Sequence, residues 1–288
     1  MSFFKPFPYV QYEFFNDGVK TRIKDIFRYI KVQDEAIDDA NGYKFYQIHD
    51  GERPDALSYK LYGTPEYYWT FFLINDTLNE GLSGWPLSSQ EFEKYMNREY
   101  EGIVINTKPV IATDIFGQIE IRDSIAGKFQ IGELVQGTTT NHRGTLAAKD
   151  SRSSQLILEN IEKNTGTELD PIWVKADLNL QTFAPPENLT GLLTGDVVSS
   201  HQVFDRRIAP KYYIDSNGLI VDNDTFFPSN VSSGGSVEGG VPDDETIIVT
   251  HREYEDELNN KRSAIRVIRP ENIQDFVLRF KRILNESV

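Results

Sequence analysis

The stretch from Tyr43 to Pro86, YKFYQIHDGERPDALSYKLYGTPEYYWTFFLINDTLNEGLSGWP, leaves the chain few ways to fold. Tyr43, Phe45 and Gln47 alternate with Lys44, Tyr46 and Ile48, which suits a short strand with aromatic groups on both faces. Asp50-Gly51 breaks that strand. Pro54 stands where the first residue of a helix belongs, because the N–H it lacks has no helical partner there in any case. Ala56, Leu57, Leu61 and part of Tyr59 line one side of this helix, and Gly63 is placed to end it. Thr64 can cap a second helix from Pro65 to about Asn75, with Glu66 at the positive end of its dipole. Tyr67, Tyr68, Trp69, Phe71, Phe72, Leu73 and Ile74 make that helix apolar on nearly every side, so it needs burial from several directions. At roughly 16 Å it is too short to cross a membrane.

On either side of this stretch the pattern changes. Ser88 and Glu91 form a capping box for a helix that carries Phe92, Tyr95 and Met96 and ends before Gly102. From Ile103 to about Tyr213 the period falls to two. Ile103-Val104-Ile105, Ile119-Glu120-Ile121, Leu134-Val135 and the run Leu156 to Ile161 are short β-type segments split by glycines, at spacings suited to a small sandwich or barrel. Thr225 to Asp244 is rich in Ser, Gly, Pro and Asp and reads as a flexible loop. Glu245 to Thr250 is a strand, Tyr254 to Asn259 leads onward, and Ala264 to Ile268 is a second strand ended by Pro270. From Glu271 a helix sets Ile273, Phe276, Val277, Phe280, Ile283 and Leu284 on one stripe. The fold class expected is α+β, with a β-rich insertion between two mixed ends.

The first forty residues read as an extended arm, because Pro6 and Pro8 interrupt Phe3, Phe4, Phe7, Tyr9, Val10, Tyr12, Phe14 and Phe15. Apolar groups this dense need a surface to cover them, on their own domain or on another subunit. The acidic run at Asp34, Glu35, Asp38 and Asp39 fits a solvated helix or turn. It lacks the ligand spacing and central glycine of a calcium loop.

Composition excludes several classes of function. A net charge of −14 over 288 residues argues against nucleic acid as a partner, since a phosphate backbone needs a basic stripe. Without cysteine there is no disulfide, thiolate metal site or thiol nucleophile. Pro6 comes too early for the apolar core of a signal peptide, and no apolar run reaches the length of a membrane span. His49, His142, His201 and His251 are not at metal-ligand spacing, and no nucleophile elbow, P-loop or dinucleotide fingerprint occurs. Carboxylate pairs such as Glu91 with Glu93 or Glu255 with Glu257 arise by chance among 44 acidic residues. The residues therefore point to no catalytic centre, no cofactor and no metal. Tyr62, Tyr67, Tyr68, Trp69 and Trp85 could stack on sugars. The favoured reading makes them a domain core, because burying one such ring contributes on the order of 2–3 kcal/mol.

The blocks Gly51-Glu52-Arg53-Pro54-Asp55, Leu57, Leu61-Tyr62-Gly63, Trp69, Ile74-Asn75 and Pro86 resemble a lysin-motif (LysM-like) fold. Together with Asp25-Ile26-Phe27-Arg28 and the run Gly84 to Glu91, they resemble the baseplate wedge subunit of T-even-type contractile-tailed phages across roughly Phe3 to Tyr100. The C-terminal strand and helix resemble the end of the same subunit. The helix after Ser88 departs from a regular LysM unit, which would close there with a second strand. The segment Phe129 to Thr138 with Gly144-Thr145-Leu146 resembles small β-barrel repeats of phage structural proteins. The resulting division is an arm at 1–42, a LysM-like domain at 43–102, a β-rich insertion at 103–224, a loop at 225–244 and a strand–helix segment at 245–288.

The resemblance implies a structural, non-enzymatic virion protein of the tail baseplate, assembled in the host bacterial cytoplasm. It would bind other wedge subunits and sheath-initiating baseplate proteins, occur in several copies through baseplate symmetry, and help link neighbouring wedges around the hub. Candidate interface residues are Phe3, Phe4, Phe7 and Tyr9 of the arm and Phe280, Ile283 and Leu284 toward the free end of the last helix, where no later residues remain to cover them. Ile273, Phe276 and Val277 are assigned to the internal core. The alternative is a peptidoglycan-binding LysM module of a wall-targeting protein. A lysozyme-like hydrolase lacks a supported acid and nucleophile.

Overall fold

The structure is a computed structural model that describes residues 7–16, 18–25, 42–107, 110–113, 119–122, 124–151, 153–167, 169–177, 182–214, 218–221, 237–238 and 247–286. The chain opens with a hairpin of β1 (Tyr9–Tyr12) and β2 (Thr21–Lys24), then β3 (Tyr43–Gln47), α1 (Pro54–Tyr62), a 3₁₀ turn at Pro65–Tyr67 and α2 (Trp69–Ile74). Further 3₁₀ turns lead to α3 (Ser89–Glu99). A long run of strands follows: β4 (Ile103–Thr107), β5 (Val110–Thr113), β6 (Ile119–Arg122), β7 (Leu134–Gly137), β8 (His142–Asp150), β9 (Gln155–Asn164) and β10 (Trp173–Lys175). It continues with β11 (Asn188–Gly191), β12 (Val197–Asp205), β13 (Pro210–Ile214), β14 (Ile220–Val221), β15 (Val237–Glu238) and β16 (Ile247–Thr250). The chain then passes through α4 (His251–Ser263), β17 (Ala264–Ile268) and α5 (Ile273–Glu286). Two compact units result, one from residues 1–92 with 256–288 and one from 93–255. The fold is α+β, as the alternation of patterns implies.

In the first unit β3 finds its partner at the far end of the chain. β17 pairs antiparallel with it from Tyr43↔Ile268 to Gln47↔Ala264. One face of this sheet buries Ile48, Ile265 and Val267 with Leu57, Phe71, Leu78 and Trp85. The Trp85 indole donates to the Glu52 carbonyl at 2.8 Å, which fixes the turn before α1. α1 begins at Pro54 and closes on Gly63 in the left-handed conformation, as the sequence requires.

The helix expected over Pro65–Asn75 is shorter and broken. Thr64 accepts from Glu66 N as a cap. The Ser58 hydroxyl, however, captures the Tyr67 N–H at 3.2 Å while donating to the Thr64 carbonyl, so the first turn is 3₁₀. The remaining α2 is still buried from several sides. Phe71 joins the sheet core, Ile74 packs with Ile268, Ile273 and Val277, and Trp69 and Leu73 pack against Phe280 and Leu284.

In the second unit β9, β4, β12, β11, β7 and β8 pair in that order, and β8 pairs back to β9, closing a six-stranded antiparallel barrel with β10 added outside β9. Its interior holds Ile105, Val135, Leu146, Leu156, Leu158, Leu189 and Phe183. The β-rich region thus contains a small barrel, with two three-stranded sheets, β14-β13-β16 and β15-β5-β6, outside it. Closure leaves no free edge within the ring.

The barrel contains an internal repeat. Phe129, Glu133, Val135, Gly137 and Thr140 recur at one constant offset as Phe183, Glu187, Leu189, Gly191 and Thr194. The two copies meet where β7 and β11 pair. Each buried glutamate precedes its own strand and binds the turn that follows the other one. Glu187 accepts from Thr139 N and Thr140 N and Oγ1, and Glu133 accepts from Leu193 N and Thr194 N and Oγ1. Each also takes an N–H from three residues before it, Gln130 or Ala184. The glycines make room for this exchange. A Cβ on Gly137 would meet Glu187 Oε2 at 2.5 Å, and one on Gly191 would meet Glu133 Oε2 at 2.6 Å.

Candidate assembly interface

The arm is a hairpin pinned at its base by one ring. Phe7 is 4% exposed and packs with Phe280 and Leu284, against Trp69 and Leu73 of α2. The Trp69 and Phe280 ring centroids are 4.7 Å apart. Lys24 Nζ donates to the Phe7 carbonyl at 2.6 Å and Asp25 N to the Pro8 carbonyl at 3.0 Å, tying the end of β2 to the seated residue. Beyond this anchor the hairpin is largely solvent-facing. Tyr9 is 51% exposed, with the Arg22 guanidinium and the Lys24 ammonium 4.3 and 4.2 Å from its ring centre. Tyr12, Phe14 and Phe15 are exposed at the tip, with Tyr12 and Phe14 edge to face at 5.0 Å. An isolated two-stranded hairpin is marginal in water, so a displayed aromatic tip marks a surface suited to burial by a partner.

The stripe of α5 does not divide as its sequence suggests. Ile273 and Val277 lie in the core with Ile74 and Ile268, and Phe276 lies beside Trp69. Phe280 and Leu284 are also buried inside the chain, because the arm returns to supply Phe7 over them. The expectation that no residue remains to cover these two positions is thereby corrected. Ile283 is 47% exposed on the flank of the stripe. Phe3 and Phe4, the segment 26–41 and most of the 225–244 loop lie outside the described residues.

The rings considered for sugar stacking are held in the fold. Tyr62 stacks on Phe71 with centroids 6.1 Å apart and donates its hydroxyl to the Ile268 carbonyl, and burial pushes its pKa up. Trp85 is buried between Phe71 and Phe72.

Several titratable groups of the second unit are buried or hydrogen-bonded within it. Burial lowers the pKa of His142, helped by Lys163. Burial lowers that of His251 to about 4, helped by the cations of Lys211 and Arg206. Glu255 accepts from the hydroxyls of Tyr95 and Tyr100. Glu133 and Glu187 are occupied by backbone donors. Among the described residues no group of three His, Asp or Glu side chains could hold a metal ion, and no helix is long and apolar enough to cross a membrane.

Sequence reasoning missed the barrel repeat, although its Phe-x-x-x-Glu-x-(Val/Leu)-x-Gly-x-x-Thr spacing is readable. It also missed α4, whose capping box was available. Thr250 N donates to Glu253 Oε2 at 2.8 Å and Glu253 N to Thr250 Oγ1 at 3.2 Å.

A comparison with curated protein sequences finds no match. The sequence model of the family described as base plate wedge protein 53 matches residues 1–118, the region that carries the arm, β3, α1, α2, α3 and β4. That match supports a structural role in a phage tail baseplate, and through residues 1–118 the chain resembles a baseplate wedge subunit.

Proposed function

We propose that this chain binds other wedge subunits and helps link neighbouring wedges around the baseplate hub, in several copies and without catalysis. The observation that carries the reading is the displayed aromatic hairpin, anchored through Phe7 in the region that matches the wedge family. Interfaces concentrate aromatic side chains at their centres and leave charged groups to the rim. Tyr12, Phe14 and Phe15, with Arg22 and Lys24 beside Tyr9, have that composition. Of the earlier candidates among the described residues, Tyr9 and Ile283 are exposed enough to join such a contact. Phe7, Phe280 and Leu284 contribute indirectly by fixing the hairpin. Within the first unit, the paired strands β3 and β17 with α1 and α2 packed on them are read as a LysM-like scaffold used for assembly.

Incorporation into wedges tests the reading. The purified chain should join a wedge intermediate lacking it and should not sediment with purified peptidoglycan. Saturable peptidoglycan binding lost in Tyr67→Ala or Tyr68→Ala, without wedge binding, would establish the alternative wall-binding function. Phe15→Ser should fold normally and join wedges more weakly, by about 1–2 kcal/mol for an exposed ring at an interface.

A further inference from the structure

The β3–β17 sheet of the first unit has two unlike edges. Ile48 N bonds to Ser263 O at 2.9 Å and Arg269 N to Gly42 O at 3.1 Å, at the two ends of one register. Residues 42, 44, 46 and 48 therefore turn their backbone groups toward β17, and Tyr43, Phe45 and Gln47 turn theirs outward. Along the β17 edge the outward groups are taken. The Asn75 side chain bonds both N and O of Arg266, and the Tyr62 hydroxyl bonds Ile268 O. Along the β3 edge the Tyr43 carbonyl accepts from Arg269 Nε at 3.3 Å. Among the described residues, the backbone groups of Phe45 and the N–H of Gln47 have no partner.

Phe45, at the centre of that edge, is 82% exposed, with its ring edge-on to Tyr43. Folded proteins blunt or cover their strand edges because an open one recruits other chains. Here one edge is blunted by Asn75 while the other carries an aromatic side chain. Lys44 belongs to β3 itself, Arg269 reaches this edge at the Tyr43 carbonyl, and Arg266, across the pair in β17, sits 5.6 Å from the Tyr43 ring centre. No carboxylate among the described residues is within ion-pair distance of these three cations, although the chain carries a net −14.

We propose that the β3 edge docks an extended, acidic segment of another baseplate subunit, which adds beside β3 as a third strand. The open backbone groups specify a strand, Phe45 supplies apolar contact, and the three cations specify the charge. A second copy of this chain fits poorly, because two β3 edges would bring the same cations together. The identity of the partner as a baseplate subunit rests on the wedge reading above.

Phe45→Pro tests the edge. The Phe45 N–H points away from β17, so proline there removes a donor from the open edge and leaves the β3–β17 ladder intact. The variant should melt near the wild type and join the purified wedge intermediate with affinity reduced about tenfold or more. Phe45→Thr, which keeps the N–H, should lose less, and Lys44→Glu should weaken joining most at low salt. In the wild type, exchange of the Phe45 and Gln47 amide hydrogens should slow about tenfold or more on joining. Wild-type joining with unchanged exchange at both amides overturns the edge proposal and leaves the wedge reading standing. If Phe45→Pro does not fold, this exchange measurement decides alone. Amide protection that grows with concentration in the isolated chain would assign the edge to a second copy and overturn the proposal. Failure of the wild type to join any wedge intermediate removes the wedge reading, and the edge proposal with it.

Discussion

The side-chain amide of Asn75 makes both hydrogen bonds of a neighbouring strand with the backbone of Arg266, 191 residues away, accepting from its N–H at 2.8 Å and donating to its carbonyl at 2.9 Å. Its NH₂ also reaches the Phe71 carbonyl at 2.8 Å. One buried side chain thus joins the end of α2 to the strand that the chain returns to the sheet only after building the barrel. Asn75→Ala leaves these backbone groups unpaired. It should lower the stability of the first unit by about 2–4 kcal/mol, read as a shift in urea midpoint with unchanged slope. A loss smaller than about 0.5 kcal/mol would show that water replaces the amide at no cost.

The arm and the last helix share one cluster, so their variants should behave alike in kind and differ in extent. Phe280→Ala empties a site walled by Trp69 and Phe7 and should destabilise the monomer by about 3–5 kcal/mol. Phe7→Ala removes only the arm's anchor. It should leave most of the unit's stability in place while the hairpin becomes sensitive to protease at low enzyme concentrations. Wild-type melting of Phe280→Ala would return that residue to the surface.

The fold was legible wherever local chemistry decides it. Pro54, Gly63 and Thr64 punctuate the chain as their backbone preferences require, and Ser88 with Glu91 forms the capping box their spacing implies. The period of two marked β4, β7 and β9 of the barrel and β6 outside it, but not β11 or β12. What stayed hidden depends on residues distant in sequence. No local signal tells β3 that its partner is β17, or Phe280 that Phe7 will cover it. The break after Pro65 needed the hydroxyl of Ser58, and the polar surface of α4 lacks the apolar stripe that betrays α5. At the candidate interface, the sequence marked the aromatic arm but not which of its rings turn inward.

The barrel's crossed glutamates make a paired test. Glu187→Ala strands the N–H groups of Thr139, Thr140 and Ala184 and should cost about 2–4 kcal/mol. Gly191→Ala pushes a methyl group against the Glu133 carboxylate and should cost about 1–3 kcal/mol. If the glycine serves that carboxylate, the double variant Gly191→Ala with Glu133→Ala should lose less than the sum of the two single changes.

The second unit should weaken in acid. His251 is held neutral in the fold, with a pKa lowered from 6.5 to about 4 by burial and by Lys211 and Arg206. A base with a depressed folded pKa contributes its full stability above the unfolded value of 6.5. That contribution is lost progressively as the pH falls from 6.5 toward 4. The melting temperature of the wild type should drop across that window, and His251→Phe should flatten the drop. An unchanged slope in the variant would assign the acid sensitivity to other groups.

Electron microscopy of purified native tails, with this chain marked by a bound antibody fragment, tests its place in the virion most directly. The account predicts label confined to the baseplate and repeated around its symmetry axis, between adjacent wedges. Label on the sheath, on the tube or only on unassembled protein would contradict it.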